Sequence, residues 1–207
     1  MDGTVYSMFL VAAFVVAASP GPTVLQIFAQ SLSGDFRRPA SLIAGSMFAN
    51  TLMVLATVLG VSALIVASQS AFNVLRWIGS GYLIYLGVHY WRMQVAPLNL
   101  PSRSTAVRYK VLFVQAALTS LTNPKGLVFY IAFLPQFVTP GADPHFQLAI
   151  LGVSYIGLCL VTDIGYALAG RAFSGLLMSA GAVKLKNRIT GTVLVAAGLS
   201  LLGYQRA

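Results

Sequence analysis

Two long apolar runs in this chain are each interrupted near their centre by a proline-bearing motif. Ser19-Pro20-Gly21-Pro22 divides the first run, and Thr122-Asn123-Pro124-Lys125-Gly126 divides the second. Proline removes an amide donor and its ring collides with the preceding turn, so neither run can be one continuous α-helix. In a soluble protein such motifs lie in loops. Here they sit inside hydrophobic stretches, at corresponding places in the two halves of the chain. Paired interrupted membrane helices are the best sequence pointer to a transporter's binding site.

The residues around the breaks demand a membrane. Of 207 residues, 57% are hydrophobic and 8% are charged, against about a quarter charged in a soluble domain. An apolar run of roughly 20 residues crosses a bilayer core. We read six such spans, at about 5–32, 40–66, 71–91, 111–138, 146–170 and 187–204. The first and fourth carry the breaks. About 12–15 residues flank each break, roughly 20 Å of helix per side, which places both near the bilayer midplane. Val15 to Ala18 resembles a signal-cleavage region, but Asp2 and no Lys or Arg precede the apolar stretch, so a retained first span is expected.

Charge gives the orientation. Arg37 and Arg38 fall in loop one–two. Arg92, Arg103, Arg108 and Lys110 fall in loop three–four, and Arg171, Lys184, Lys186 and Arg188 in loop five–six. Only Arg206 answers them on the other side. The three basic loops are therefore expected in the cytoplasm and both termini outside. A variant with one broken segment re-entrant would move one terminus. A net charge of +9 also suits nucleic acid, but its clustering between apolar runs points to the membrane instead. One cysteine, Cys159, excludes an internal disulfide, and two histidines without any glutamate leave no dedicated metal cage. No cofactor is expected.

The segment 92–110, with Pro97 and Pro101, separates a first three-helix unit (1–91) from a second (111–207) within one transmembrane domain. Ile78 to Gly87 and Ile189 to Gly198 echo each other. Three spans per unit make the units inverted repeats, so the broken helices would face one another. The expected fold is an all-α integral membrane protein of six helices in two inverted three-helix repeats. Tyr6, Tyr90, Trp91 and Tyr204 read as interfacial belt residues.

The chemistry concentrates at the breaks. Ser19 reads as an N-cap with Pro20 after it, and Asn123 with Pro124 repeats the pattern. Each break would start a half-helix whose unpaired amides form an anion site, strengthened by the helix dipole. A substrate carboxylate would satisfy them, and Lys125 would add a full charge. The alternatives are a plain proline kink and a structural ion pair for Lys125. Asp163 is the only acid inside an apolar span. It reads as the partner of a substrate ammonium or as the carrier of a coupling proton, with a fixed Lys125–Asp163 pair as the structural alternative. Asn50 reads as packing glue or a substrate contact. Gln26, Gln30, Gln115 and Thr119 flank the breaks and could line a polar path. Cys159 and His89 read as structural.

These motifs resemble the LysE/RhtB family of amino-acid exporters, over nearly the whole chain. The resemblance rests on Ser19-Pro20-Gly21-Pro22, on Leu121-Thr122-Asn123-Pro124-Lys125 with Phe133-Leu134-Pro135-Gln136-Phe137, and on Trp77-Ile78-Gly79 through Tyr85-Leu86-Gly87. It implies a bacterial inner-membrane exporter of amino acids or derivatives, driven by the proton-motive force, with a homo-oligomer left open. Asp163 resembles the family's acid in span five. The acid often found in span two is replaced here by Asn50, after Ala49. A dibasic cargo would lack a partner for its second cation, so a neutral amino acid of the threonine, homoserine or leucine type fits better. The substrate-binding residues expected are Ser19, Pro20, Gly21, Pro22, Asn50, Asn123, Pro124, Lys125 and Asp163. The rival readings are an inorganic-ion or metal transporter, a thiol–disulfide carrier (which would need two cysteines) and a membrane-anchored interaction protein.

Overall fold

The computed structural model describes residues 3–92, 108–139 and 142–172, with the isolated positions 188, 191, 192, 195, 196 and 199. The regular structure among these residues is all helical, with no strand among them. In chain order the helices are α1 (Gly3–Ala18), α2 (Pro22–Ser31), α3 (Arg37–Ala56), α4 (Ser62–Ala67), α5 (Gln69–Arg92), α6 (Tyr109–Leu121), α7 (Pro124–Val128) and α8 (Pro144–Ala172). A π-helical turn, Thr57–Val61, joins α3 to α4 without interruption. Arg37–Val61 and Pro144–Ala172 are each long and apolar enough to cross a membrane. The pair α1 and α2 qualifies as one further span, bent by 58° at the first break.

The described helices fall close to the first five expected spans. The second half of span four differs: α7 lasts five residues, then gives way to a π-helical turn (Phe129–Phe133) and a 3₁₀ turn (Leu134–Phe137). The expected α-helix is thus replaced by three short helical types. Pro135 ends the sequence's capacity for a regular ladder, because it has no amide to donate. Most of connector 92–110, and most of span six with Lys184, Lys186, Tyr204 and Arg206, lie outside the described residues. Arg76 falls in the early turns of α5, toward the end opposite Arg92, and so adds a second basic residue to the side where only Arg206 was expected.

Packing sorts apolar side chains into two environments. Phe9, Ala13, Val16, Met53, Phe129, Tyr130, Phe133, Leu148, Leu151 and Tyr155 form one buried core. Met8, Val11, Phe14, Leu59, Trp77, Val153, Val161 and Leu168 point outward. So much exposed hydrophobic surface is a liability in water and the expected face toward lipid. Lipid tails are as apolar as leucine, so the helices associate through close fit and polar contacts rather than through dehydration.

Small residues supply that fit. The most extensive helix pair is α3 with α6, and at its centre a Cβ built on Gly45 would run into the Phe113 carbonyl. A Cβ on Gly152 would come within 2.6 Å of Val54 Cγ1. Gly87 lies equally close to Gly191, whose carbonyl would be 2.7 Å from an added Cβ. Gly45→Ala is therefore expected to force α3 and α6 apart, at about 1–3 kcal/mol for overpacking. Its readout is a lower thermal midpoint of the purified protein; an unchanged midpoint would contradict the close approach.

Two belt residues also have partners inside the protein. The Tyr6 hydroxyl lies 2.8 Å from Ser154 Oγ, tying α1 to α8. The Trp91 indole donates to the Arg188 carbonyl at 3.1 Å.

Candidate functional site

The first break leaves carbonyls at the end of α1 with no helical donor beyond them, because Pro20 and Pro22 have no N–H. Within a membrane, other protein groups must satisfy them. The Ser19 amide turns back to Val15 O at 3.0 Å, and its hydroxyl donates to Val16 O at 2.8 Å. The Tyr166 hydroxyl, from α8, donates to Ala18 O at 2.7 Å. Lys125 crosses from the second break and donates to Val16 O (3.1 Å), Ser19 O (2.9 Å) and Ser19 Oγ (3.0 Å). An ammonium has three protons, and all three are engaged. A cation at a helix C-terminus is also favoured by the dipole.

Ser19 is therefore not the N-cap of the second half-helix, as the sequence suggested. Its side chain closes the end of α1. The helix α2 starts two residues later, with extended Gly21 (φ −108°, ψ 177°) as cap and Pro22 at its first position. The Gly21 carbonyl accepts from Leu25 N at 3.0 Å. The second break follows the expected pattern: Asn123 caps α7, its side chain accepting from Lys125 N at 3.1 Å, with Pro124 next. One break is thus completed by residues distant in sequence, and the other by itself.

The two breaks touch. A Cβ on Gly21 would lie 3.3 Å from Asn123 Nδ2 and 3.6 Å from Lys125 Nζ. Below them, Thr23 Oγ1 lies 3.1 Å from Ser120 Oγ, and Gln26 donates to Thr119 Oγ1 at 3.2 Å. Gln26 and Thr119 of the expected polar path do meet, whereas Gln115 is exposed.

Where the breaks meet, a cavity of about 50 Å³ opens. Such a space holds a few waters. A whole amino acid requires the walls to separate. Gly21, Asn50, Asn123, Lys125 and Asp163 all line it. Pro20, Pro22 and Pro124 shape the breaks without lining the cavity, and Ser19 is buried beneath Lys125. Asp163 is 4% exposed, and its Oδ2 has no hydrogen-bond partner among the described residues. Lys125 makes no ion pair with it, so the fixed-pair alternative is not what forms. Ser46 faces the same carboxylate.

Ser46, Thr23, Ser120, Tyr130, Tyr155, Cys159 and Thr162 also line the cavity, and were not singled out as ligand-facing from the sequence. Helix spacing carried a signal for several. Ser46 precedes Asn50 by four residues, Cys159 precedes Asp163 by four, and Tyr130 follows Gly126 by four, in each case the spacing of one helix face.

Chemically the wall has two poles. One is the buried carboxylate of Asp163. The other is the start of α2, where Thr23 and Val24 line the cavity in the helix's first turn, beside the Lys125 charge. The first-turn amides have no intrahelical acceptor. Opposite charges on one small molecule match this arrangement. Among the described residues, no group of three or more His, Cys, Asp or Glu side chains could hold a metal ion.

The sequence is similar to known proteins along its length. A 201-residue match covers 97% of this chain and 98% of an uncharacterized membrane protein of Vibrio cholerae, at 29% identity. The homoserine/homoserine lactone efflux proteins of Salmonella typhi and Salmonella typhimurium are each 29% identical over 199 residues, 96% of both chains. No solved structure matches. The model of the LysE type translocator family matches residues 14–205. This chain belongs to the LysE type translocator family.

Proposed function

We propose that this protein exports small neutral amino acids or their derivatives from the bacterial cytoplasm by secondary active transport, with proton exchange. One observation carries the reading: Asp163 Oδ2, buried and unpartnered, shares a cavity with the start of α2 and with Lys125. A carboxylate so placed is costly unless a cation or proton meets it. The substrate ammonium, alternating with a coupling proton, supplies that partner. The substrate carboxylate takes the α2 amides and the Asn123 and Asn50 amides. Lys125, whose protons hold the end of α1, contributes charge at that pole. Amino-acid export is supported by the family and by the homoserine efflux relatives.

The architecture we propose is six spans in two inverted repeats, 1–91 and 111–207, joined by 92–110. The basic loops lie on the cytoplasmic side of the inner membrane. The contact between the two breaks is what facing repeats require, and alternating access follows from one repeat rocking against the other. The test is overexpression in a bacterial host, followed by a screen for excreted metabolites and for resistance to inhibitory amino acids. At least one neutral amino acid or derivative is expected to be excreted. Protein present in the membrane with no change across the panel would overturn the reading.

A further inference from the structure

The cavity wall contains a second buried group without a partner. Tyr130, in the π-helical turn after α7, is 1% exposed, and its hydroxyl has no hydrogen-bond partner among the described residues. Its ring is held edge-on by Phe129 at 5.7 Å and by Tyr155 at 5.4 Å, and those two rings stack on each other at 3.7 Å. The hydroxyl cannot swing away to find a partner.

The other hydroxyls of the wall are occupied. Thr23 and Ser120 bond each other. Thr162 donates to Leu158 O and Cys159 O. Ser46 faces Asp163, and Tyr155 faces Cys159. Tyr130 is the one lining hydroxyl left with its capacity unused. Buried tyrosines usually find a partner, and an unmet polar group is destabilising. Phenylalanine would pack the same way without that cost, so the oxygen points to a ligand. The two charged ends of an amino acid are already matched by Asp163 and by the start of α2. What remains for Tyr130 is the cargo's side chain.

We infer that Tyr130 is a specificity-determining residue whose hydroxyl bonds an oxygen on a short cargo side chain. This rests on the reading of the cavity as an amino-acid site. It favours a hydroxylated amino acid over the aliphatic one of the same shape, because a site built for a hydrogen bond rejects the analogue that lacks it.

The experiment measures exchange in proteoliposomes for wild type and Tyr130→Phe, using matched pairs: threonine with valine, homoserine with norvaline. Wild type is expected to favour the hydroxylated member by at least about tenfold. Tyr130→Phe is expected to lose most of that preference, leaving the aliphatic member within about threefold. The thermal midpoint without cargo is expected to stay level or rise, since an unmet group has been removed. A preference unchanged in the variant overturns the assignment, as does a midpoint that falls by several degrees, which would place the hydroxyl's partner inside the protein. If wild type moves none of these amino acids, while the protein is folded, the amino-acid reading itself falls and this assignment with it.

Discussion

Lys125→Met should reduce transport by at least about 100-fold while leaving the protein folded in the membrane. Two effects oppose each other in stability. Removing a charge from the bilayer interior recovers about 2.5–3.5 kcal/mol on insertion scales. Removing the donor from Ser19 O and Ser19 Oγ, and one of the two side-chain donors to Val16 O, costs about 1–3 kcal/mol per unmet group. The two nearly cancel, so the thermal midpoint should move little. Transport has no such compensation. The variant loses the cation at the α2 pole, where the substrate carboxylate is proposed to bind, and truncating one partner of a buried charged contact costs about 2–5 kcal/mol of binding. It also unlocks the end of α1 from the second break, so the cavity loses a fixed wall. Flux normalised to membrane protein, measured beside the midpoint, separates these contributions. Near-normal flux would show that the charge is not part of the site.

Asp163→Asn is expected to be as damaging, by a different route. Asparagine has nearly the same shape and retains an acceptor, so packing against Ser46 on α3 should survive. Removing an unpaired buried carboxylate relieves a cost, and the fold should be no less stable. What is lost is the only carboxylate among the described residues that line the cavity. A substrate ammonium entering that cavity would be desolvated without a counter-charge, so a loss of about 100-fold or more is expected. Everted vesicles with an imposed pH gradient give the readout. Undiminished, gradient-dependent flux by the variant would remove Asp163 from both ammonium binding and proton coupling.

The legible parts of this molecule were those decided locally. Asn123-Pro124-Lys125 is a complete capping signal within three residues, and the structure uses it as written. Asp163 stood out as one acid in an apolar run, and it lines the cavity. The start of α2 was displaced from its expected place because tertiary contacts decide it. Ser19 has a competing acceptor in Val16 O, three residues back and deprived of its helical donor by Pro20, and a donor in Lys125, more than a hundred positions away in the chain, which nothing near Ser19 announces. The same distance hides the use to which Lys125 is put. Tyr130 was illegible for another reason: a tyrosine in an apolar run reads as packing, and only a count of neighbouring donors and acceptors reveals an unused hydroxyl. The π-helical turn that holds it has no sequence signature in this stretch.

The measurement that bears most directly on the central claim is counterflow in proteoliposomes of the purified protein, with cargo stripped of one pole at a time. A neutral amino acid is compared with the amine that lacks its carboxylate and with the acid that lacks its ammonium. The two-pole cavity predicts saturable exchange of the intact amino acid and at least about a 100-fold loss for either truncated form. Equal exchange of all three, or none with folded protein in the liposomes, would contradict it.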